Sequence, residues 1–240
     1  MKLKNFSLLL TFTIVMFAIS PSIPSYGTPE DIWDGVAFFG DSTTHGMIRY
    51  IVHHNEQSVR PYADIRRDQI LTPPSGTFYL RNIPTTQIMY RGKIMPLTEA
   101  IRQSAPSVLI VTVGVNGLAH WDKDVFSELY NRLIDIFEDA APQCQIILQS
   151  IFPTAQVRAP HLSAFTADRV DTVNDWIREI AIQRNLQYIN TSDALKDEDG
   201  WLRQEYQNGD GLHLNTSGFN RVLQTIETAL KNQKGKNSRQ

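Results

Sequence analysis

VAFFGDSTTHG, residues 36–46, begins with four apolar residues and continues through a glycine, an acid and a serine. An uninterrupted short apolar run predicts a β-strand that is covered on both faces, as in a parallel sheet. The glycine and the acid end this strand, and Ser42 stands where the following helix would begin. Ligands of open α/β sheets bind beyond the carboxyl ends of the strands. The stretch therefore predicts the first strand of a sheet and the position of a functional site.

The same alternation of strand and helix continues along the chain. Further apolar runs predict strands, in chain order, at Val108–Val113, Ile146–Ser150 and Gln187–Asn190. Apolar residues at helical spacing predict helices at residues 97–105, after the cap Asp124, at residues 170–181 and from near Gly218. Residues 62–90 mix charges, prolines and a glycine, and they hold one further strand without defined bounds. Strands that alternate with helices predict a parallel sheet between two helical layers.

Composition limits the classes of protein to which this chain can belong. Its 240 residues are 42% hydrophobic and 10% aromatic with a net charge of −2, which is typical of a folded soluble domain. This charge gives no attraction for phosphate backbones, so nucleic acid is not expected as a partner. The single cysteine, Cys144, excludes an internal disulfide and a cysteine-rich metal cluster. We predict one domain over residues 28–232 and a flexible polar tail over 233–240, with the oligomeric state left open.

The first 27 residues predict an export signal rather than part of the fold. Lys2 and Lys4 precede an uncharged, mostly apolar run, Phe6–Ile19, and the small residues Ser25 and Gly27 suit a cleavage site. The run is shorter than the roughly 20 residues that span a bilayer. Cleavage after Gly27 would change the net charge from −2 to −4. We expect a secreted or cell-envelope protein with no stable membrane insertion, and an uncleaved N-terminal anchor is the alternative.

Polar groups near the predicted strand ends and the last helix suit nucleophilic catalysis. The hydroxyl of Ser42 is an effective nucleophile only if a base removes its proton. His213 can be that base, and Asp210, three residues earlier, can fix its tautomer. Donors for an oxyanion are the backbone amide of Ser42 and the side-chain amide of Asn116. Taken alone, each residue also has a structural interpretation, as a helix cap, a turn residue or a packed histidine.

Three short blocks resemble the SGNH, or GDSL-type, hydrolase superfamily: Gly40–Thr43, Gly114–Asn116 and Asp210–His213. The resemblance covers nearly the whole chain after residue 27, with the blocks in the family's order. It implies a flavodoxin-like three-layer α/β/α sandwich with a central parallel sheet of about five strands. It also implies a serine esterase without a metal or organic cofactor. Its catalytic residues would be Ser42, Asp210 and His213, with oxyanion donors at Ser42 and Asn116.

The sequence departs from this family pattern in two places. Gly117 stands where the family has an aspartate after the asparagine. The family's second block supplies a glycine whose amide completes the oxyanion hole, and no clean copy of that block is present. Gly76, in Pro-Ser-Gly-Thr, is the candidate for this glycine, and Gly92 is the alternative. Either could be only a turn glycine.

The substrate is less constrained than the reaction. We expect short-acyl esters, O-acetyl groups above all, on a small molecule or a polysaccharide, with Asp41 and Trp121 in contact with the substrate. Lysophospholipase or thioesterase activity is an alternative, and a catalytically inactive carbohydrate-binding protein of the same fold is another. Transfer to an acceptor other than water is also open. His45 lacks a carboxylate partner other than Asp41 and is expected in the pocket wall or on the surface.

Overall fold

A computed structural model describes residues 32–52, 62, 64–157 and 162–237 of the chain. The predicted export signal, residues 1–27, lies outside the described residues. The last helix extends to Asn237. It therefore continues into residues 233–240, which the sequence predicts to be a flexible tail. None of the helices in the described ranges is long and apolar enough to span a bilayer.

The described residues form strands and helices in alternation, with one hairpin inserted. The strands are β1 (Val36–Gly40), β2 (Ile70–Leu71), β3 (Gln87–Tyr90), β4 (Lys93–Pro96), β5 (Val108–Thr112), β6 (Gln145–Gln149) and β7 (Gln187–Ile189). The α-helices are α1 (Ser42–Val52), α2 (Leu97–Ser104), α3 (Lys123–Ala140), α4 (Ala167–Gln183) and α5 (Thr216–Asn237). Strands β1, β5, β6 and β7 confirm the strands predicted from the apolar runs.

Five parallel strands form the central sheet in the order β2-β1-β5-β6-β7. Alternate residues of β1 face opposite sides: Phe39 packs into a core with α2, α3 and α4, and Phe38 packs into a second core with α1 and α5. Both rings are almost fully buried, at 0% and 2% exposure. Helices therefore cover both faces of the sheet, which confirms the three-layer α/β/α sandwich.

The turn from β1 into α1 requires a glycine at position 40. Gly40 pairs with Thr112 of β5. A Cβ on Gly40 would lie 2.0 Å from the hydroxyl oxygen of Thr44 and 2.5 Å from the carbonyl oxygen of Thr112. The carbonyl oxygen of Thr112 cannot retreat cheaply, because it belongs to the backbone of the adjacent strand. The glycine thus lets the start of α1 approach the carboxyl edge of the sheet closely.

Two local predictions need correction. Helix α3 is capped by Asp122, whose Oδ1 accepts hydrogen bonds from the N–H groups of Asp124 and Val125, so the cap lies two residues before the predicted one. Strands β3 and β4 form an antiparallel hairpin that the sequence analysis does not contain. Arg91 and Gly92 form its turn with φ values of 46° and 76°, as in a type I′ turn. Gly92, the alternative oxyanion glycine, is therefore a hairpin glycine.

Candidate active site

Ser42, His213 and Asp210 form a continuous hydrogen-bonded chain. The Oγ atom of Ser42 lies 3.0 Å from Nε2 of His213, which follows it by 171 residues in the sequence. The Nδ1 atom of the same imidazole lies 2.7 Å from Oδ2 of Asp210. The side chain of His213 is 28% exposed, so the imidazole is reachable from solvent. In this arrangement Nε2 can accept the hydroxyl proton while Nδ1–H donates to the carboxylate.

The serine is held at the amino end of α1 by the acid that precedes it. Asp41 Oδ1 accepts hydrogen bonds from the N–H of Thr43 at 3.0 Å and from its hydroxyl at 2.8 Å. The carbonyl of Asp41 accepts the N–H of His45 at 2.8 Å. Ser42 is the first residue of the helix, where the backbone N–H has no acceptor within the helix. That N–H is therefore available to a ligand at the helix terminus.

The segment that carries His213 is fixed to the start of α5. Asn215 Oδ1 accepts the N–H of Gly218 at 3.0 Å, and Asn215 Nδ2 donates to the carbonyls of Glu205 and Gln207. These bonds cap the helix and join it to the loop before it. The position of the imidazole follows from this anchoring rather than from burial.

Asp210 is an ionised partner for the imidazole. Burial opposes ionisation, but the backbone N–H and imidazole of His213 and the backbone N–H of Leu212 all donate to the carboxylate, and together they hold the pKa of Asp210 below its usual value. A carboxylate that accepts several hydrogen bonds favours its charged form. Asp210 is therefore suited to stabilise a positively charged His213.

Asn116 lies after β5, and its side chain is anchored by one hydrogen bond. Its Nδ2 atom donates to the carbonyl of Phe78 at 2.9 Å. A primary amide has two hydrogens, so one remains for a further acceptor. Gly117, next in the chain, has a φ of 87° and begins a short 3₁₀ turn, Leu118–His120. A side chain at Gly117 would be strained by this φ and would contact Trp121 at 3.2 Å, which explains the glycine where the family has an aspartate.

Gly76 lies in the wall of the same cavity as Ser42. Its φ is 74°, and a Cβ there would lie 2.9 Å from Cγ of His45. Its backbone N–H, however, donates to the carbonyl of Pro73 at 2.8 Å. In this conformation the amide has no hydrogen left for an oxyanion, which departs from the role expected of Gly76.

The structure contradicts the substrate contacts expected of Asp41 and Trp121. Asp41 is 1% exposed, so its carboxylate is inside the protein. Trp121 is 7% exposed, its Nε1 donates to the carbonyl of Gly114, and its ring packs edge-on against Phe126. The guanidinium of Arg81 lies 5.4 Å from the ring centre of Trp121. Both side chains pack inside the protein and stabilise the fold, although their positions next to strand ends suggest the rim of the sheet.

A cavity of about 640 Å³ opens beside Ser42, within the range of ligand pockets. Its lining includes residues that sequence reasoning did not assign to the site, namely Arg49, Tyr50, Ser75, Asn208, Asn215 and Phe219. His45 also lines it, as expected of a pocket-wall residue, and its Nδ1 lies 2.8 Å from the hydroxyl of Thr72. Burial and then the charges of Arg67 and Arg49 lower the pKa of His45. Asn116 is not among the residues that line this cavity.

The thiol of Cys144 lies in an environment that keeps it protonated. Burial raises the pKa of the Cys144 thiol to about 12. Its Sγ lies 3.6 Å from the carbonyl of Gln145 at the start of β6. A protonated thiol is a poor nucleophile, so Cys144 is not suited to that role.

A parallel α/β sandwich with this Ser–His–Asp arrangement at its carboxyl edge defines a serine hydrolase. The model of the GDSL-like lipase/acylhydrolase family matches residues 38–221, and the chain belongs to that family of ester-hydrolysing enzymes. The matched range includes all three residues of the hydrogen-bonded chain. No curated relative matches the sequence at a significant level.

Solved structures share the fold at low sequence identity. A GDSL-like lipase from Bacteroides thetaiotaomicron is 17% identical with a TM-score of 0.56, over 82% of this chain and 87% of that one. The acetyl xylan esterase AlAXEase is 19% identical with a TM-score of 0.56, over 81% and 98%. A peptidoglycan O-acetylesterase is 16% identical with a TM-score of 0.48, over 56% of this chain and 40% of that one. The two similarities with a TM-score of 0.56 establish a common fold and, at these identities, no more.

Proposed function

We propose that the protein is a secreted serine esterase that removes short acyl groups, above all acetyl groups, from carbohydrate or other small esters. The observation that carries this proposal is the chain of contacts from Ser42 Oγ through the imidazole of His213 to the carboxylate of Asp210, at 3.0 and 2.7 Å. It lies on the rim of a cavity large enough for a small ester.

Catalysis proceeds through an acyl-enzyme. His213 Nε2 takes the proton of Ser42 as Oγ attacks the ester carbonyl, and it then gives this proton to the departing alcohol. Water attacks the acyl-serine in the second half of the reaction, again with Nε2 as the base. Asp210 stays ionised throughout and stabilises the imidazolium, in keeping with its lowered pKa.

Two donors serve the oxyanion in this mechanism. One is the N–H of Ser42 at the first position of α1, where the helix dipole also favours negative charge. The other is the second hydrogen of the Asn116 amide, whose first hydrogen is bound to Phe78. The N–H of Gly76 would become a third donor only if its bond to Pro73 opened.

The preference for small esters follows from the cavity. Its lining places the polar side chains of Ser75, Asn208 and Asn215 among the separate apolar side chains of Tyr50, Leu214 and Phe219. A long acyl chain would need a more continuous apolar surface to offset its transfer from water. The acetyl xylan esterase with the same fold is in keeping with this substrate class. The predicted export signal at residues 1–27 would bring such an enzyme to extracellular polysaccharides.

Hydrolysis of 4-nitrophenyl acetate by the purified protein tests the proposed reaction. We expect turnover in the wild type, loss of turnover in Ser42→Ala, and retention in Ser104→Ala, whose hydroxyl bonds to Ile101 within α2. A fluorophosphonate probe should label Ser42. An unlabelled Ser42 with no turnover would instead identify a binding protein that has kept the fold. A panel of acetylated sugars, longer acyl esters and lysolipids then separates the acetylesterase from lipid hydrolases.

A further inference from the structure

The cavity follows one side of helix α1. Ser42, His45, Gly46 and Arg49 all line it, and their spacing places them on one face of a helix. Seven residues of α-helix span about 10 Å. Arg49 is therefore two turns from the reactive hydroxyl, along the surface on which a substrate would lie.

Arg49 carries a positive charge that no described carboxylate neutralises. It is exposed at the cavity, and no carboxylate pairs with it among the described residues. Of the described side chains that line the cavity, Arg49 is the permanent cation and Asp210 is the carboxylate. Asp210 is already bound to His213 and Leu212. Within the described part of the chain, the Arg49 guanidinium therefore has no anionic partner, which suits it to an external anion.

The surroundings of Arg49 favour an anion further. The lowered pKa of His45, caused by burial and then by Arg67 and Arg49, indicates that both guanidinium charges act on this wall of the cavity. Arg67 is itself held in place by a hydrogen bond from its Nη1 to the carbonyl of Ile70. Positive charges that act on the same wall lower the cost of bringing a negative group there.

Helix α1 is held firmly beneath this surface. A Cβ on Gly46 would lie 2.9 Å from Cζ of Phe219 in α5, so the two helices approach closely at this point. Tyr50 packs against the same ring at 5.8 Å between centres, and its hydroxyl donates to Asn220 at 2.5 Å. The backbone that carries Arg49 therefore keeps a fixed place relative to Ser42.

We propose that Arg49 is a specificity-determining residue that selects esters whose alcohol part carries an anionic group, with acetylated acidic sugars as the substrate class. This inference rests on the proposed esterase function. A short acyl group leaves most of the cavity to the alcohol part, and a guanidinium pairs with a carboxylate through two parallel hydrogen bonds. A phosphate would use the same chemistry, and the experiment separates these two sources.

The test compares esters that differ in one charged group. The acetyl esters of methyl glucuronoside and methyl glucoside share the sugar ring and acyl group, and only the first carries a carboxylate. For the wild type we expect kcat/KM to favour the acidic ester about tenfold, with the preference falling as salt is added. Acetylglycerol 3-phosphate and acetylglycerol form a second pair, and a larger preference there would assign the site to phosphate esters.

Arg49→Gln should reduce the preference for the acidic ester to about twofold or less, and Arg49→Lys should keep part of it. Arg102→Gln is the matched control because Arg102 lies on α2 and pairs with Glu99, and it should keep the full preference. The ratio is measured within one preparation, so a partly unfolded variant lowers both rates and leaves the ratio unchanged. If Arg49→Gln does not fold, the ratio of kcat/KM for the acidic and neutral esters is measured instead in Arg49→Lys and in the wild type at increasing salt.

Equal rates for the charged and neutral esters in the wild type, or an unchanged ratio in Arg49→Gln, would overturn the role of Arg49 and leave the esterase intact. Failure of the proposed function has a different signature, with no turnover of 4-nitrophenyl acetate and no labelling of Ser42. In that case the inferred role of Arg49 in ester selection is also wrong. Binding of the free methyl glucuronoside to Ser42→Ala, weakened by adding Arg49→Gln, would support the anion site independently of turnover.

Discussion

Asp210 binds His213 through both of its carboxylate oxygens. Oδ1 accepts the backbone N–H of His213 at 2.8 Å, and Oδ2 lies 2.7 Å from the imidazole Nδ1. One contact sets the course of the backbone between the two residues, and the other sets the orientation of the ring. The turn and the tautomer are thus maintained by the same side chain.

Asp210→Asn and His213→Ala should therefore differ in severity. The asparagine can still accept the backbone hydrogen bond, but its amide favours the wrong imidazole tautomer, and we expect a loss of about 10⁴-fold in kcat. Removal of the base itself should cost about 10⁶-fold. Rates with 4-nitrophenyl acetate measure both variants, and a reversed order would show that Asp210 is not the partner of His213.

Asn116→Ala should lower kcat by about 10²-fold while changing KM little, because an oxyanion donor acts mainly in the transition state. The variant also loses the bond to the carbonyl of Phe78. Urea unfolding of Asn116→Ala measures the cost of that lost bond in stability, separately from its effect on kcat. A rise in KM without a fall in kcat would contradict the oxyanion role.

Gly76→Ala and Gly92→Ala form a matched pair for stability. Both glycines have a φ near 75°, at 74° and 76°, but a Cβ on Gly76 meets His45 at 2.9 Å and one on Gly92 meets nothing within 4 Å. We expect a loss of about 1 kcal/mol in the free energy of unfolding for Gly92→Ala and about 3 kcal/mol for Gly76→Ala. Urea unfolding measures both, and equal losses would exclude the collision with His45.

The buried carboxyl of Asp41 should make stability depend on pH. Burial raises its pKa from 3.8 to about 6, against the hydrogen bonds from Thr43. A carboxyl with a raised pKa in the folded state favours folding below pH 3.8, and this contribution is lost as pH rises through about 6.

Comparison of wild type with Asp41→Asn isolates this dependence. The free energy of unfolding of the wild type, relative to Asp41→Asn, should fall by about 2 kcal/mol between pH 4 and pH 7. Urea titrations at several pH values give the difference at each point. A difference that stays constant across this range would show that Asp41 is ionised in the folded protein throughout.

Much of the fold could be predicted because its strands are buried on both faces. Val108–Thr112 is buried at every position, so its sequence is an uninterrupted apolar run. Ile70–Leu71, by contrast, is a strand of two residues between charged and proline-rich segments, too short for any periodicity. The β3–β4 hairpin was missed because its turn is Arg91-Gly92 rather than the usual Asn-Gly or Asp-Gly.

The sequence likewise predicts some residues of the candidate site and not others. Ser42 and His213 were found because a strand end and a helix start mark their positions in the sequence. The sequence does not show burial directly. Asp41 and Trp121 are buried, so they do not form the substrate contacts that their positions suggest. The sequence places Arg49 two helical turns after Ser42, but it does not show the cavity beside Arg49, which α5 completes.

The distance along the chain between Ser42 and His213 has a consequence for synthesis. A ribosome makes Ser42 171 residues before His213, so for that interval the growing polypeptide holds a hydroxyl without its base. Under the proposed mechanism, a half-finished chain cleaves nothing, and activity begins only after the final helix has docked against the first.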